Sequence, residues 1–234
     1  MASPASPPSA AKLNNSARWG IEVAVVAQSS ITNSWGTFRH LLYRAGEIGR
    51  VHSAVVMGNV RDRRVPVRVH SECLTGDVFG SRRCDCGEQL DVAFETIRRA
   101  GRGILIYLRG HEGRGIGLSN KLKAYALQDI GYDTVDANSA LGLPVDSRSY
   151  NAAAAMLHYL MIREALLLTN NPDKVRTLQE AEISCARVPM SSTCSHDNEA
   201  YLQAKATRMG HMGLLRRTEI EPRQDRQSLH ESRE

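Results

Sequence analysis

The sequence predicts an α/β protein, a three-layer αβα sandwich with a mixed sheet to which antiparallel strands are added in the N-terminal part. The first third of the chain holds short segments rich in β-branched residues. Beyond it, continuous apolar runs alternate with segments of helical periodicity, as expected of buried strands separated by helices. The chain has 234 residues, 42% of them hydrophobic and 24% charged, so it can bury one large core.

Strands are predicted in the first third of the chain, because its apolar segments are short and rich in Val and Ile. They cover residues 21–27, 36–43, 51–56 and 65–70. The segment NVRDRRVP (59–66) lies between the last two strands, and its composition predicts a hairpin loop. The beginning of the chain therefore favours antiparallel pairing.

The pattern becomes helical from Gly87, and Gly101 ends the first helix. Its apolar face carries Leu90, Ala93, Phe94 and Ile97. Further helices are predicted at 118–130, at 150–160, after Pro172 and at 198–211. Strands are predicted between them at 103–108, 165–169 and 183–189. This alternation is the basis for the sandwich.

The charge of the chain limits its partners. A formal net charge of +5 is compatible with nucleic acid or with a small phosphorylated molecule. The small anion is favoured, because the sequence has no stripe of interleaved aromatic and basic residues. No apolar run reaches the roughly 18 residues of a membrane helix. We therefore expect neither nucleic acid nor a membrane as a partner.

The two ends of the chain differ in composition from its middle. Residues 1–17 are rich in Pro, Ser and Ala and predict a disordered leader, with a transit peptide as the alternative. Residues 214–234 carry mixed charges and predict a flexible tail. A single domain is expected between them, at 18–213. Because no secretory signal is recognisable, a reducing, cytoplasmic location is expected, where disulfides are disfavoured.

A cysteine cluster is the strongest chemical signal. The segment SECLTGDVFGSRRCDCGEQL (71–90) contains Cys73, Cys84 and Cys86, and it offers no fourth ligand nearby. Structural zinc sites normally close with four ligands, whereas catalytic zinc keeps one position open. The spacing favours a catalytic zinc, and it leaves open a structural zinc or no metal at all.

Other candidate groups follow the predicted buried strands. The loop RGHEGRGIGL (109–118) is glycine-rich and opens a helix, an arrangement that binds anions; its Glu112 is expected to accept from a base edge or to cap the helix. Thr169 and Lys174 come after the strand at 165–169, and Asp146 precedes a helix that it or Ser147 would cap. Ligands of α/β sheets bind beyond the carboxyl ends of strands, so these groups are expected to converge.

Several ordered motifs together resemble one known family, GTP cyclohydrolase II, in its stand-alone form. They are RVHSECLTGD, RCDCGEQL, EGRGIGL, AYALQD, D.R.Y, LLTNNPDKV and ATRMGHM, and they span about residues 65–212. The resemblance implies a catalytic domain over 18–213 that hydrolyses GTP to 2,5-diamino-6-ribosylamino-4(3H)-pyrimidinone 5′-phosphate, formate and pyrophosphate. It also implies the first step of riboflavin biosynthesis, one Zn²⁺ per subunit, Mg²⁺ with the triphosphate, and a homodimer.

The resemblance also implies roles for individual residues. The zinc ligands are Cys73, Cys84 and Cys86. The GTP site comprises Arg68, Val69, His70, Ser71, Glu72, Gln89, Glu112, Gly113, Arg114, Thr134, Thr169 and Lys174. Asp146 is the implied proton acceptor, Arg148 the implied nucleophile on the α-phosphate, and Tyr125 the tyrosine beside the ring-opening chemistry. A guanidinium cation has no free lone pair, so an alternative is that Arg148 clamps the α-phosphate while water attacks.

Two other functions are alternatives. A paralogue of the same fold would stop at the formamidopyrimidine product and serve a secondary pathway. The presence of Tyr125 argues instead for the complete reaction, because members lacking it are expected to stop at the formamide. A zinc-stabilised nucleic-acid-binding protein would need a four-ligand zinc site and would bind with a steep salt dependence.

Overall fold

The computed structural model describes residues 23–45, 50–61, 64–212 and 215–217. Within them the strands are β1 (Val23–Asn33), β2 (Gly36–Ala45), β3 (Val51–Met57), β4 (Val65–Ser71), β5 (Gly103–Leu108), β6 (Glu164–Leu168), β7 (Ser184–Val188), β8 (Ser192–Cys194) and β9 (Leu215–Arg217). The helices are α1 (Leu74–Asp77), α2 (Cys86–Ala100), α3 (Leu118–Asp129), α4 (Thr134–Ala140), α5 (Asn151–Tyr159), α6 (Pro172–Glu180) and α7 (Glu199–Arg208).

The main sheet is mixed, as the sequence predicts. Its strand order is β1-β2-β3-β5-β4-β6-β7. Strands β1, β2, β3 and β5 pair antiparallel in succession, whereas β5, β4, β6 and β7 pair parallel. The antiparallel strands come mainly from the N-terminal part, so the predicted fold class is confirmed.

The hairpin predicted at 59–66 is wrong. Strand β5 lies between β3 and β4 and pairs with both of them. The apolar strand β5 is almost entirely buried, and a central place in the sheet covers both of its faces. The turn-like composition of 59–66 marks a reversal of the chain but does not specify which strand becomes the neighbour.

The core lies on both faces of the sheet, which gives the predicted three layers. Ile104, Ile106 and Leu108 of β5 face one side, where they pack with α5 and with Leu178 of α6. Leu105, between them in sequence, faces the other side with Ala93 and Ile97 of α2. This division follows from the alternation of side chains along a strand.

Some elements are not predicted from the sequence. Helix α4 is short, and it begins where the Asp133 carboxylate accepts hydrogen bonds from the backbone N–H groups of Val135 and Asp136. Helix α1 has four residues and follows directly from Cys73. Strand β9 lies inside the predicted tail, and it pairs with β8, which precedes α7. The predicted leader and the rest of that tail lie outside the described residues. Among the described helices, none combines the length and the apolarity required to cross a membrane.

Candidate active site

The candidate site lies where three neighbouring parallel strands end. Strand β4 ends at Ser71 and leads into Cys73, β5 ends at Leu108 before the glycine-rich loop, and β6 ends at Leu168 before Thr169. The Glu72 carboxylate accepts from the Gly110 N–H at 2.6 Å, which ties the first two loops together. The loops that follow these strands therefore meet at one edge of the sheet, as expected for the carboxyl ends of parallel strands.

The cysteine cluster forms one wall of this site. The Sγ atoms of Cys73, Cys84 and Cys86 all lie within 4.8 Å of one another, so they could hold a metal ion. Cys73 precedes α1, and Cys86 is the first residue of α2. Gly76 makes the close approach possible, because a Cβ there would lie 2.9 Å from Cys84 Sγ.

The protonation of the cluster favours one thiolate at Cys73. Hydrogen bonds with Cys84 and Cys86 lower the pKa of Cys73, and the nearby Lys121 acts in the same direction. The hydrogen bond with Cys73 raises the pKa of Cys84 to about 11. A thiolate is the form that binds a metal, so the lowered pKa of Cys73 favours the form of this residue that could serve as a ligand.

Lys121 of α3 is a site residue that the sequence analysis missed. Its side chain is 8% exposed, and Nζ donates to Cys73 Sγ at 3.1 Å, to Thr75 Oγ1 at 2.7 Å and to Glu112 Oε1 at 2.6 Å. Its position four residues before Tyr125 places both side chains on one helix face, which was the available signal. Lys121 thus connects the cysteine cluster to the glycine-rich loop.

Asp77 holds in place the beginning of the segment 73–86, which carries the three cysteines of the candidate metal site and is called the metal loop below. Its carboxylate accepts hydrogen bonds from the Cys73 N–H at 3.0 Å and from the Tyr107 hydroxyl at 2.8 Å, and it lies 3.0 Å from His70 Nε2. The predicted residue His70 therefore acts through Asp77 on the backbone of Cys73, a candidate metal ligand.

The glycine-rich loop presents a cation to the site. Arg114 has a φ of 66°, a left-handed conformation that costs energy in a residue other than glycine. Both terminal nitrogens of its guanidinium are buried and have no hydrogen-bond partner among the described residues. A buried cation held in this way is suited to an anionic ligand. Glu112 accepts from the Leu74 N–H at 2.6 Å, so it caps α1 rather than the helix that follows it.

Asp146 and Arg148 form an ion pair rather than a helix cap. Arg148 Nη2 lies 2.6 Å from Asp146 Oδ2, and Arg148 Nε lies 2.9 Å from Oδ1. Burial acts to raise the pKa of Asp146, but the hydrogen bond and charge of Arg148 outweigh it and hold that pKa below its usual value. The N-cap of α5 is Tyr150.

Gln89 and Arg68 belong to a buried network around Asp85. Arg68 Nη2 donates to Gln89 Oε1 at 2.7 Å, and Gln89 Nε2 donates to Asp85 Oδ2 at 2.6 Å. Asp85 also accepts from Ser192 Oγ at 2.7 Å and from Lys205 Nζ at 2.5 Å. The sequence analysis missed Asp85, which separates two of the cysteines and ties α7 to the metal loop.

Most of the predicted site residues line one common cleft. These are Arg68, His70, Ser71, Glu72, Cys73, Cys84, Cys86, Gln89, Gly113, Arg114, Tyr125, Thr134, Arg148 and Lys174. The cleft is also lined by residues that the sequence analysis did not predict, among them His111, Asn138, Tyr201, Lys205, Met209 and His211.

The other predicted site residues lie behind the cleft wall. Val69 accepts from Lys174 Nζ through its carbonyl oxygen at 2.7 Å, and Thr169 Oγ1 accepts from the Asn171 N–H at 3.1 Å. Glu112 and Asp146 bind Lys121 and Arg148, which do line the cleft. Their direct contact with a substrate stays a prediction.

A three-cysteine cluster beside a cleft rich in cations defines an α/β protein that can hold a metal next to an anionic small molecule. The sequence model of one family, GTP cyclohydrolase II, matches residues 24–189. The chain belongs to the GTP cyclohydrolase II family. This is the family to which the sequence motifs point, so the resemblance is confirmed, and it makes the chain a member of a hydrolase family.

Relatives from plants and bacteria are about half identical to the chain. The Bifunctional riboflavin biosynthesis protein RIBA 1, chloroplastic, of Arabidopsis thaliana is 52% identical over 184 residues, which cover 78% of this chain and 34% of that protein. The Probable monofunctional riboflavin biosynthesis protein RIBA 3, chloroplastic, of Oryza sativa subsp. japonica is 51% identical over 192 residues, or 81% of this chain and 36% of that protein.

A bacterial relative is similar to the chain to the same degree. The Riboflavin biosynthesis protein RibBA of Salinispora tropica is 51% identical over 193 residues, which cover 82% of this chain and 48% of that protein. The chain thus spans about a third to a half of the length of these relatives. Since the two plant relatives are named chloroplastic, a cytoplasmic location stays a prediction.

Proposed function

We propose that the protein is a zinc-dependent GTP cyclohydrolase II that catalyses the first step of riboflavin biosynthesis. It hydrolyses GTP to 2,5-diamino-6-ribosylamino-4(3H)-pyrimidinone 5′-phosphate, formate and pyrophosphate. The observation that carries the proposal is one cleft that joins the three-cysteine cluster to the cations Arg114, Arg148 and Lys174 in a member of this family. The proposal thus places a metal ligand set next to a polyphosphate site.

Cys73, Cys84 and Cys86 would hold the zinc, because thiolates bind Zn²⁺ well and three of them leave one position for water or substrate. When bound, zinc supplies Lewis-acid activation for hydrolysis at C8 of guanine. Tyr125 lines the cleft and carries Arg83 above its ring at 4.3 Å, which fixes the phenol near the cysteine cluster. Burial raises the pKa of Tyr125, so the phenol stays protonated and can donate a hydrogen bond.

The phosphate chain is bound by cations that are held rigidly. Lys174 is 5% exposed, and burial together with Arg68 and Arg148 lowers its pKa, so a bound anion would strengthen its charged form. We propose that Arg148 clamps the α-phosphate while water attacks it. Asp146 holds this guanidinium in a bidentate pair, and its lowered pKa makes it a poor base towards Arg148. Mg²⁺ accompanies the triphosphate in this proposal, and the working unit is a homodimer.

In this proposal, Gln89 and Glu112 recognise the guanine base. Both side chains hold protein partners in the structure. Gln89 bonds Arg68 and Asp85, whereas Glu112, behind the cleft wall, accepts from Lys121 and from the Leu74 N–H. Contact with a guanine edge therefore requires an exchange of hydrogen bonds when the nucleotide enters.

The experiment is incubation with GTP, Zn²⁺ and Mg²⁺, with formate, pyrophosphate and the pyrimidine product quantified. Equal amounts of formate and pyrophosphate are expected from the wild-type protein. Cys84→Ser is expected to lose ring opening and bound zinc, whereas Cys185→Ser, outside the cluster, serves as the matched control. Accumulation of the formamide in place of formate, or full activity of Cys84→Ser, would contradict the proposal.

A further inference from the structure

Helix α7 and the residues after it supply a wall of the cleft. They lie beyond the residues that the family's sequence model matches, although the motif ATRMGHM (206–212) is part of the resemblance. The family match ends at residue 189, whereas Tyr201, Lys205, Met209 and His211 line the cleft. The relation of this segment to the nucleotide is therefore open to inference from its own contacts.

Ionic contacts anchor α7 at two places on the site. Lys205 Nζ lies 2.5 Å from Asp85 Oδ1, between two of the cysteines in sequence, and the Asp85 side chain is 2% exposed. Arg208 Nη1 lies 2.5 Å from Asp133 Oδ2, next to the predicted substrate residue Thr134. These contacts hold the helix over the cleft at both the metal loop and α4.

The chain then turns back into the cleft. Gly210 has a φ of 63°, which suits glycine and reverses the backbone after α7. The His211 N–H donates to the Lys205 carbonyl oxygen at 3.1 Å, and the Met212 N–H donates to the Asn170 carbonyl oxygen at 2.8 Å. His211 is thus fixed between α7 and the loop that precedes α6, the helix of Lys174.

The imidazole of His211 has an unused polar atom. Its Nε2 is buried and has no hydrogen-bond partner among the described residues. Burial, followed by the charges of Lys205, Arg148 and Lys174, lowers the pKa of His211 to about 3, with Asp85 acting in the opposite direction. The neutral ring can donate one hydrogen bond, and the surrounding charges match an anion.

We propose that His211 is a further substrate-binding residue, whose Nε2–H donates to an oxygen of the nucleotide's phosphate chain. This inference rests on the proposed function, since it takes GTP as the ligand. Two observations carry it: a buried imidazole nitrogen without a hydrogen-bond partner among the described residues, and its place in a cleft that Arg148, Lys174 and Lys205 also line. Lys205 is then a positioning residue, which places His211 through α7.

The test measures separately the binding of the phosphate part and of the nucleoside part of the nucleotide. Isothermal titration calorimetry measures the Kd of inorganic tripolyphosphate and of guanosine for the wild-type protein, His211→Ala and His211→Gln. Loss of a hydrogen bond to a charged group is expected to raise the tripolyphosphate Kd of His211→Ala about 10- to 100-fold. Gln places an amide donor near the position of Nε2, so His211→Gln is expected to recover most of this loss.

The controls distinguish the loss of a direct contact with phosphate from a general disturbance of the fold. The guanosine Kd is expected to stay within about twofold in all variants, because that ligand has no phosphate. His196→Ala is the matched control, since His196 lies before α7 and its side chain is fully exposed. An unchanged tripolyphosphate Kd in His211→Ala, no tripolyphosphate binding by the wild-type protein, or equal losses for both ligands would each overturn the inference. Absence of formate release by the wild-type protein would instead count against the proposed function.

Discussion

Replacing Lys121 with Met tests whether this buried ammonium supports the metal site. Met keeps an unbranched side chain of similar length and removes the charge. The variant loses the contacts of Nζ with Cys73 Sγ at 3.1 Å, Glu112 Oε1 at 2.6 Å and Thr75 Oγ1 at 2.7 Å. It therefore leaves two anionic groups, the Cys73 thiolate and the Glu112 carboxylate, without their shared counter-charge.

The expected magnitude follows from these contacts. Three thiolates around Zn²⁺ would leave one net negative charge, which the ammonium of Lys121 would neutralise. The Lys121 side chain is only 8% exposed, so water can do little to replace it. Removing a partner of a metal ligand typically lowers metal affinity about 10- to 100-fold. That range corresponds to about 1.4–2.8 kcal/mol. We expect the zinc affinity of Lys121→Met to fall within it.

The assay is competition for zinc with a chromogenic chelator, which does not depend on catalysis. Cobalt substitution adds a second reading, because thiolate-to-cobalt absorption reports the number of bound cysteines. Lys123→Met is the matched control, since Lys123 lies on the same helix and is exposed. A zinc affinity of Lys121→Met within about twofold of the wild-type value would refute the reasoning.

Three further changes test other parts of the site. Tyr125→Phe is expected to raise the ratio of formamide to formate in the product, measured by chromatography. The folded-state pKa of Asp146 lies below its usual value of about 3.9, so the pair with Arg148 stabilises the fold above that pH and loses its effect as the pH falls. Urea unfolding should therefore show that Asp146→Asn destabilises the protein at pH 7 and progressively less below about pH 4. Asp85→Asn breaks a buried pair with Lys205 and is expected to destabilise the protein by about 3 kcal/mol, measured in the same way.

The parts of the site that the sequence predicts are those set by local spacing. Cys73, Cys84 and Cys86 lie within 14 residues of one another, and a short helix with a close-packed Gly76 brings them together. The residues after β4, β5 and β6 converge because the carboxyl ends of parallel strands share one edge of the sheet. The first feature depends on local spacing, and the second follows from a general rule for parallel sheets, although these strands pair across long distances in sequence.

The parts that the sequence does not predict depend on long-range contacts. Asp85 and Lys205 are 120 residues apart, and Lys121 meets Cys73 across 48 residues. A lysine or aspartate of this kind resembles a surface residue until the fold buries it. The wrong hairpin at 59–66 has the same origin, because the place of β5 between β3 and β4 is set by burial of its apolar side chains.

Asp85 joins the metal loop to the wall of the cleft that α7 and the residues after it form. Its carboxylate accepts hydrogen bonds from Gln89, Ser192 and Lys205, which belong to α2, β8 and α7. Because Asp85 separates Cys84 from Cys86, any displacement of α7 acts on the backbone that carries two metal ligands. Gln89 passes the same constraint to Arg68 in the middle of β4. The position of His211 in the cleft and the geometry of the cysteine cluster are therefore coupled through one buried carboxylate.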